Sequence, residues 1–207
     1  MHALFQPHFA ACPLVAIIRG VTPDEAEAIG EAIFEAGIRI IEVPLNSPEP
    51  LKSIERLAGR LGERALVGAG TVLDPGQVNA VKSAGGRLIV SPNTNPDVIA
   101  ATAAAGLVSC PGYFTPTEAF AAIAAGAHAL KLFPAEAATP AVVKAQRAVL
   151  PREIPILVVG GVKPEQMGAW KAAGADGFGL GSGLFKPGNS AEQVLENASS
   201  YVAALSK

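Results

Sequence analysis

Charge is scarce in this 207-residue chain: only 16% of residues are Asp, Glu, Lys or Arg, against about a quarter in typical domains. Lys+Arg 16 and Asp+Glu 18 leave a net charge of −2. With no Lys/Arg cluster, the chain lacks the basic footprint of a nucleic-acid partner. Its two cysteines, Cys12 and Cys110, form no CxxC pair and are too few for a disulfide framework. They read as reduced, small core or rim residues. The three histidines, His2, His8 and His128, have no HxxxH or HExxH spacing, so a dedicated zinc site is not expected; no cofactor is expected either. The early apolar run at 14–18 is far short of the ~20 residues that span a bilayer. No charged start, apolar stretch and small-residue cleavage site precede it. The expectation is a soluble, cytoplasmic protein with no membrane partner.

Half of the residues are hydrophobic and mean hydropathy is +0.35, which excludes disorder. One domain over residues 1–207 is expected, with residues 1–13 an unassigned segment before the first strand. Short β-branched runs at 14–19, 39–43, 65–69, 88–91, 107–110, 127–132, 155–159 and 177–180 alternate with Ala-rich stretches of helical period. Landmarks near the ends of these runs, from Arg19 to Leu180, recur every 19 to 28 residues, the signature of a repeated β/α unit. Helix starts are marked by Thr22-Pro23, Asp74-Pro75, Asn95-Pro96, Thr115-Pro116, Thr139-Pro140 and Lys163-Pro164. Most of these put a capping side chain before Pro at the first helical position. Helices end on Ala-Gly at 36–37, 84–85, 105–106, 125–126 and 173–174, where glycine permits a left-handed closing turn. Eight such units predict an α/β fold, a (β/α)8 TIM barrel, with chemistry at the C-terminal ends of the strands. An open dinucleotide-binding sheet is disfavoured, because the glycines never form GxGxxG.

Alternation on the sixth run places Ala129, Lys131 and Phe133 on one face; on the second, Ile40, Glu42 and Pro44 share a face. If small and polar residues face the axis, Lys131 and Glu42 point into the barrel, with Arg19 at the end of the first strand. A purely structural reading makes these three a buried ion cluster. Such clusters are poor stabilisers, since desolvation can exceed the Coulomb gain. The functional reading makes Lys131 a nucleophilic amine and Glu42 a proton shuttle. Gly160-Gly161 follow strand seven, and Gly179, Gly181 and Gly183 lie at and beyond the end of strand eight, where barrels bind phosphate through backbone N–H groups. Ser182 adds a hydroxyl.

In order, Arg19-Gly20, Glu42-Val43-Pro44-Leu45-Asn46-Ser47, Gly68-Ala69-Gly70-Thr71-Val72, Ser91-Pro92-Asn93, Lys131-Leu132-Phe133-Pro134, Gly160-Gly161-Val162 and Gly181-Ser182 resemble the motifs of the 2-keto-3-deoxy-6-phosphogluconate/6-phosphogalactonate aldolase family. The resemblance covers nearly the whole chain. It implies a metal-free class I aldolase, commonly a homotrimer, acting on a small phosphorylated keto acid. Lys131 matches the Schiff-base lysine and Glu42 the general acid/base. Arg19 and Thr71 match substrate contacts at the keto-acid end, and Pro92 and Phe133 match pocket walls. Gly160, Gly161, Gly181 and Ser182 match the phosphate site. Asn46, Val90 and Val159 resemble the galactonate branch, whose members cleave 2-dehydro-3-deoxy-6-phosphogalactonate in galactonate breakdown. The gluconate branch usually has Arg and Thr at the first and last of these. Three alternatives stay open: the gluconate-specific aldolase, a phosphate-binding barrel enzyme that forms no imine, and a non-catalytic phosphosugar binder.

Overall fold

A computed structural model describes residues 2–206; Met1 and Lys207, the ends of the expected domain, lie outside the described residues. Among the described residues, nine parallel strand segments form one sheet: β1 (Leu14–Ile17), β2 (Ile40–Pro44), β3 (Leu66–Gly70), β4 (Leu88–Val90), β5 (Val108–Cys110), β6 (Gly112–Tyr113), β7 (Leu130–Leu132), β8 (Ile156–Val159) and β9 (Gly177–Leu180). Their order is β5-β4-β3-β2-β1-β9-β8-β7-β6. The sheet closes because β5 and β6 are one stretch of chain interrupted at Pro111. The Ser109 carbonyl accepts from the N–H of His128, and the Pro111 carbonyl from that of Lys131, both at 2.9 Å. Eight strand positions therefore surround the axis, as the sequence pattern predicts. The fifth is split in two because proline has no N–H to give to a ladder. The first strand also stops at Ile17 rather than Arg19, leaving the arginine exposed at the mouth.

Asp74, Asn95 and Thr115 cap their helices as expected, whereas Thr139 makes no side-chain cap bond and Lys163-Pro164 opens a 3-10 turn. Thr115 caps the helix Pro116–Ala124: its N–H reaches Glu118 Oε2 at 2.7 Å, and its hydroxyl accepts from the Glu118 N–H at 3.4 Å. This reciprocal pair satisfies donors that a helix start leaves open. Each expected closing glycine, for example Gly126 at φ 102°, is left-handed. Between sheet and helices lies the larger apolar layer, including Ile41, Val67, Ile89, Leu130, Val158 and Phe178.

The barrel interior holds a second cluster with Val15, Ile17, Ile40, Leu66, Leu88, Val90, Val108, Leu157 and Val159. Large aliphatics thus fill the lower interior, which corrects the expectation that only small and polar residues face the axis. The opening segment is part of this core. Helix α1 (Gln6–Ala11) carries Phe9, whose ring stacks on Phe5 with centroids 4.8 Å apart. Both are buried in the interior cluster. A Cβ on Gly177 would lie 2.8 Å from the Phe9 ring and 2.5 Å from the Pro13 carbonyl. Glycine there admits the aromatic floor, and only the upper end of the barrel is left for polar groups.

Candidate active site

Glu42 is the third residue of β2, and Lys131 lies at the centre of β7. In the closed order these strands are four positions apart in either direction, so the two side chains approach the axis from opposite walls. Glu42 is 1% and Lys131 6% exposed. They form no salt bridge within 4.0 Å, so the contact ion cluster of the structural reading is absent among the described residues. Glu42 Oε2 is fully buried with no hydrogen-bond partner among the described residues. Burial pushes its carboxyl up to about 7, although the charges of Lys131 and Arg19 pull it down. The Lys131 Nζ lies 4.9 Å from the centroid of the Phe133 ring, which shields it from one side. Cys110 shares this interior; burial pushes its thiol up to about 12 and leaves it a packing residue.

Gly68 and Gly70 of β3 face the same space. A Cβ on Gly70 would lie 1.6 Å from Glu42 Oε2, and one on Gly68 would meet the Leu88 carbonyl at 2.0 Å. The first glycine admits the carboxylate beside it and the second the backbone of the next strand. Neither function was evident from the sequence; the inward parity of both residues on β3 was the available signal.

At the mouth, Arg19 donates to Asn46 Oδ1 and, at 3.3 Å, to Thr71 Oγ1. Asn46 thus holds the arginine in place. Thr71 adopts φ 57°, a left-handed conformation costly for a β-branched residue and concentrated where function requires it. The loop at Pro92 packs on Gly112, where a Cβ would fall 2.3 Å from the Pro92 carbonyl oxygen. Val90 and Val159 are inward-facing members of the interior cluster, and Phe133 packs against it.

A cavity of about 630 Å³ opens here, lined by Arg19, Phe133, Val159, Gly160, Gly161, Gly181 and Ser182 among others. Gly160 and Gly161 are left-handed at φ 120° and 61°. The N–H groups of Gly161, Val162, Ser182 and Gly183 donate to no backbone carbonyl among the described residues. Unpaired donors along a cavity wall suit an anion. Sequence reasoning missed Lys186 and Glu136, which also line the cavity, because a single exposed charge in a loop carries no periodic signal. No group of three or more His, Cys, Asp or Glu side chains able to hold a metal occurs among the described residues. Nor is any described helix long and apolar enough to cross a membrane.

Fold and site together define a (β/α)8 barrel enzyme, with Glu42 and Lys131 buried inside the barrel and unpaired N–H groups in the loops after β8 and β9. The family model for KDPG and KHG aldolase matches residues 6–196. The chain belongs to that family and is an aldolase. It is 48% identical over 192 residues to 2-dehydro-3-deoxy-6-phosphogalactonate aldolase of Escherichia coli (strain K12), covering 93% of this chain and 94% of the relative. To a probable enzyme of the same name from Rhizobium meliloti (strain 1021) it is 50% identical, covering 93% and 91%. A solved native KDPGal structure superposes with a TM-score of 0.92 at 47% identity, covering 94% of each chain. A designed cage built by fusing symmetric oligomeric domains contains a similar domain, with TM-score 0.92 and 47% identity, covering 93% of this chain and 72% of the other. The KHG/KDPG aldolase of E. coli (strain K12) is more distant, 32% identical over 60% of this chain and 58% of that protein.

Proposed function

We propose that the chain is a class I aldolase that cleaves 2-dehydro-3-deoxy-6-phosphogalactonate to pyruvate and D-glyceraldehyde 3-phosphate. The observation that carries this reading is the near-50% identity to galactonate-type enzymes over 93% of the chain. Val159 and Val90 inside the barrel and Asn46 on Arg19 are consistent with it.

In the reading proposed, the phosphate meets the free N–H groups of the Gly160-Gly161 and Gly181-Ser182 loops, and the carboxylate lies toward Arg19 and Thr71. Pro92 and Phe133 wall the site. Lys131, in its amine form, adds to the C2 ketone to give a carbinolamine. Glu42, whose carboxyl is pushed up to about 7, gives a proton to the departing hydroxyl, and water leaves as the protonated imine forms. The imine then accepts the C3–C4 bonding electrons while the Glu42 carboxylate takes the proton of the C4 hydroxyl, releasing D-glyceraldehyde 3-phosphate. The pyruvate enamine takes a proton at C3, and water hydrolyses the imine to pyruvate and free Lys131. A carboxyl titrating near neutrality can serve as acid and then as base in one cycle. The same reading makes the protein a cytoplasmic homotrimer of single-domain subunits; a similar domain within a cage of fused symmetric oligomers supports assembly.

The experiment is borohydride reduction with pyruvate, followed by peptide mapping, alongside kcat/KM for both C4 epimers. A reduced pyruvyl adduct on Lys131 and a higher kcat/KM for the galactonate epimer are expected. An adduct on Lys144 or Lys163 would overturn the site assignment, and preference for the gluconate epimer would overturn the substrate.

A further inference from the structure

Glu136 has no place in the steps above, yet it lines the same cavity as Ser182 and Lys186. It lies in the 3-10 turn Ala135–Ala137, a few residues beyond Lys131 on the same stretch of chain. Its side chain lies against the Gly160-Gly161 turn. A Cβ on Gly160 would be 2.1 Å from Glu136 Oε2, and one on Gly161 would be 2.9 Å from its Cγ and 3.2 Å from its Oε1. The missing side chains of this glycine pair therefore make room for a carboxylate of the protein itself. Glu136 is exposed to solvent and takes part in no salt bridge among the described residues. A negative charge thus sits beside the N–H groups best suited to an anion.

We propose that Glu136 sets the charge balance of the phosphate end, weakening its hold on a dianion so that phosphorylated product is let go. This rests on the reading that the glycine loops receive the substrate phosphate. Lys163 and Lys186 line the same cavity and supply positive charge; Glu136 offsets part of it. A cradle of free N–H groups and two ammonium groups, with nothing opposing them, would hold a phosphate of charge near −2 tightly in substrate and product alike. A carboxylate against the glycine pair repels both, and product release often limits turnover in enzymes whose chemistry is fast. A rival role, accepting a hydrogen bond from a substrate hydroxyl, requires the opposite effect when the charge is removed.

The test compares wild type, Glu136→Gln and Glu136→Ala in steady-state kinetics on the phosphorylated keto acid, with inorganic phosphate as a competing ligand. Both variants are expected to lower KM, with kcat no higher than wild type, and to tighten inhibition by inorganic phosphate. The gain should be about three- to tenfold, the scale of one exposed charge acting on a dianion, and should shrink at high salt. Trapping of pyruvate on Lys131 should be unaffected. Unchanged or weaker phosphate inhibition together with unchanged or raised KM would overturn the proposal. If the wild-type protein failed to turn over the keto acid, the reading under Proposed function would fall, and the inorganic phosphate measurements would still decide the role of Glu136.

Discussion

Gly70 leaves open the space that the Glu42 carboxylate fills: a Cβ at that position would stand 1.6 Å from Glu42 Oε2. The two residues lie on the paired strands β2 and β3, so neither backbone can yield easily. Gly70→Ala must therefore displace the carboxylate, and overpacking of this kind costs about 1–3 kcal/mol. The expected result is a modest loss of stability with a loss of kcat on the order of a hundredfold, the scale of a misplaced acid/base group. Urea unfolding and steady-state kinetics on one preparation check both halves. A variant with native kcat would show that the position of Glu42 does not matter.

Glu42 also makes stability depend on pH in a definite direction. Its carboxyl titrates near 4.5 in the unfolded chain and at about 7 in the fold, because burial penalises the charge. A raised acid contributes its stability in full below 4.5 and loses it as pH rises to about 7, where the unfolded chain has already released the proton. The span corresponds to about 3 kcal/mol. Glu42→Gln removes the titration, so the variant should gain on wild type by up to that amount between pH 5 and pH 8 in urea unfolding. A difference between the two proteins that stays flat across this range would show that Glu42 is not held neutral by burial.

The barrel floor gives a prediction of a different kind. Phe9 is buried against Phe5 and over Gly177, far from the polar end. Phe9→Ala should cost about 3–5 kcal/mol, the usual range for a buried aromatic, while kcat at a temperature where the variant stays folded changes little. Thermal unfolding and kinetics separate the two effects. A large drop in kcat in the folded variant would mean that the floor supports the geometry of Lys131 and Glu42.

What could be read from the sequence was what local rules write. Thr115 caps its helix and Gly126 closes it because these choices act over a few residues. Alternation on β2 and β7 brought Glu42 and Lys131 inside because period two is a property of any strand. The split of the fifth strand at Pro111 depends on which neighbour needs an N–H there. The roles of Phe9, Gly70, Gly177 and Glu136 depend on partners far away in the chain. Phe9 and Gly177 are separated by nearly the whole barrel, and neither residue alone suggests an aromatic floor. Contacts of that range appear only after closure, which is also why the interior proved more aliphatic than expected.

Val159 offers the sharpest test of substrate choice. It faces the interior beside Gly179, where a Cβ would meet Val159 Cγ2 at 2.7 Å, and it lines the same cavity as Phe133 and the glycine loops. Threonine has nearly the same shape but exchanges a methyl for a hydroxyl, so Val159→Thr should keep the fold and alter only what the wall can hydrogen-bond. The two candidate substrates differ in the configuration of the C4 hydroxyl. An apolar wall discriminates weakly between such partners, whereas a buried hydroxyl that one epimer satisfies and the other leaves unpaired discriminates strongly. The ratio of kcat/KM for the galactonate over the gluconate epimer should fall by about tenfold in Val159→Thr, the effect of a single hydrogen bond of roughly 1.4 kcal/mol. Measuring both epimers with one enzyme preparation makes the ratio independent of active fraction. A ratio that does not move would place the choice of epimer elsewhere in the cavity, with the Arg19–Asn46 pair at its mouth the next position to vary.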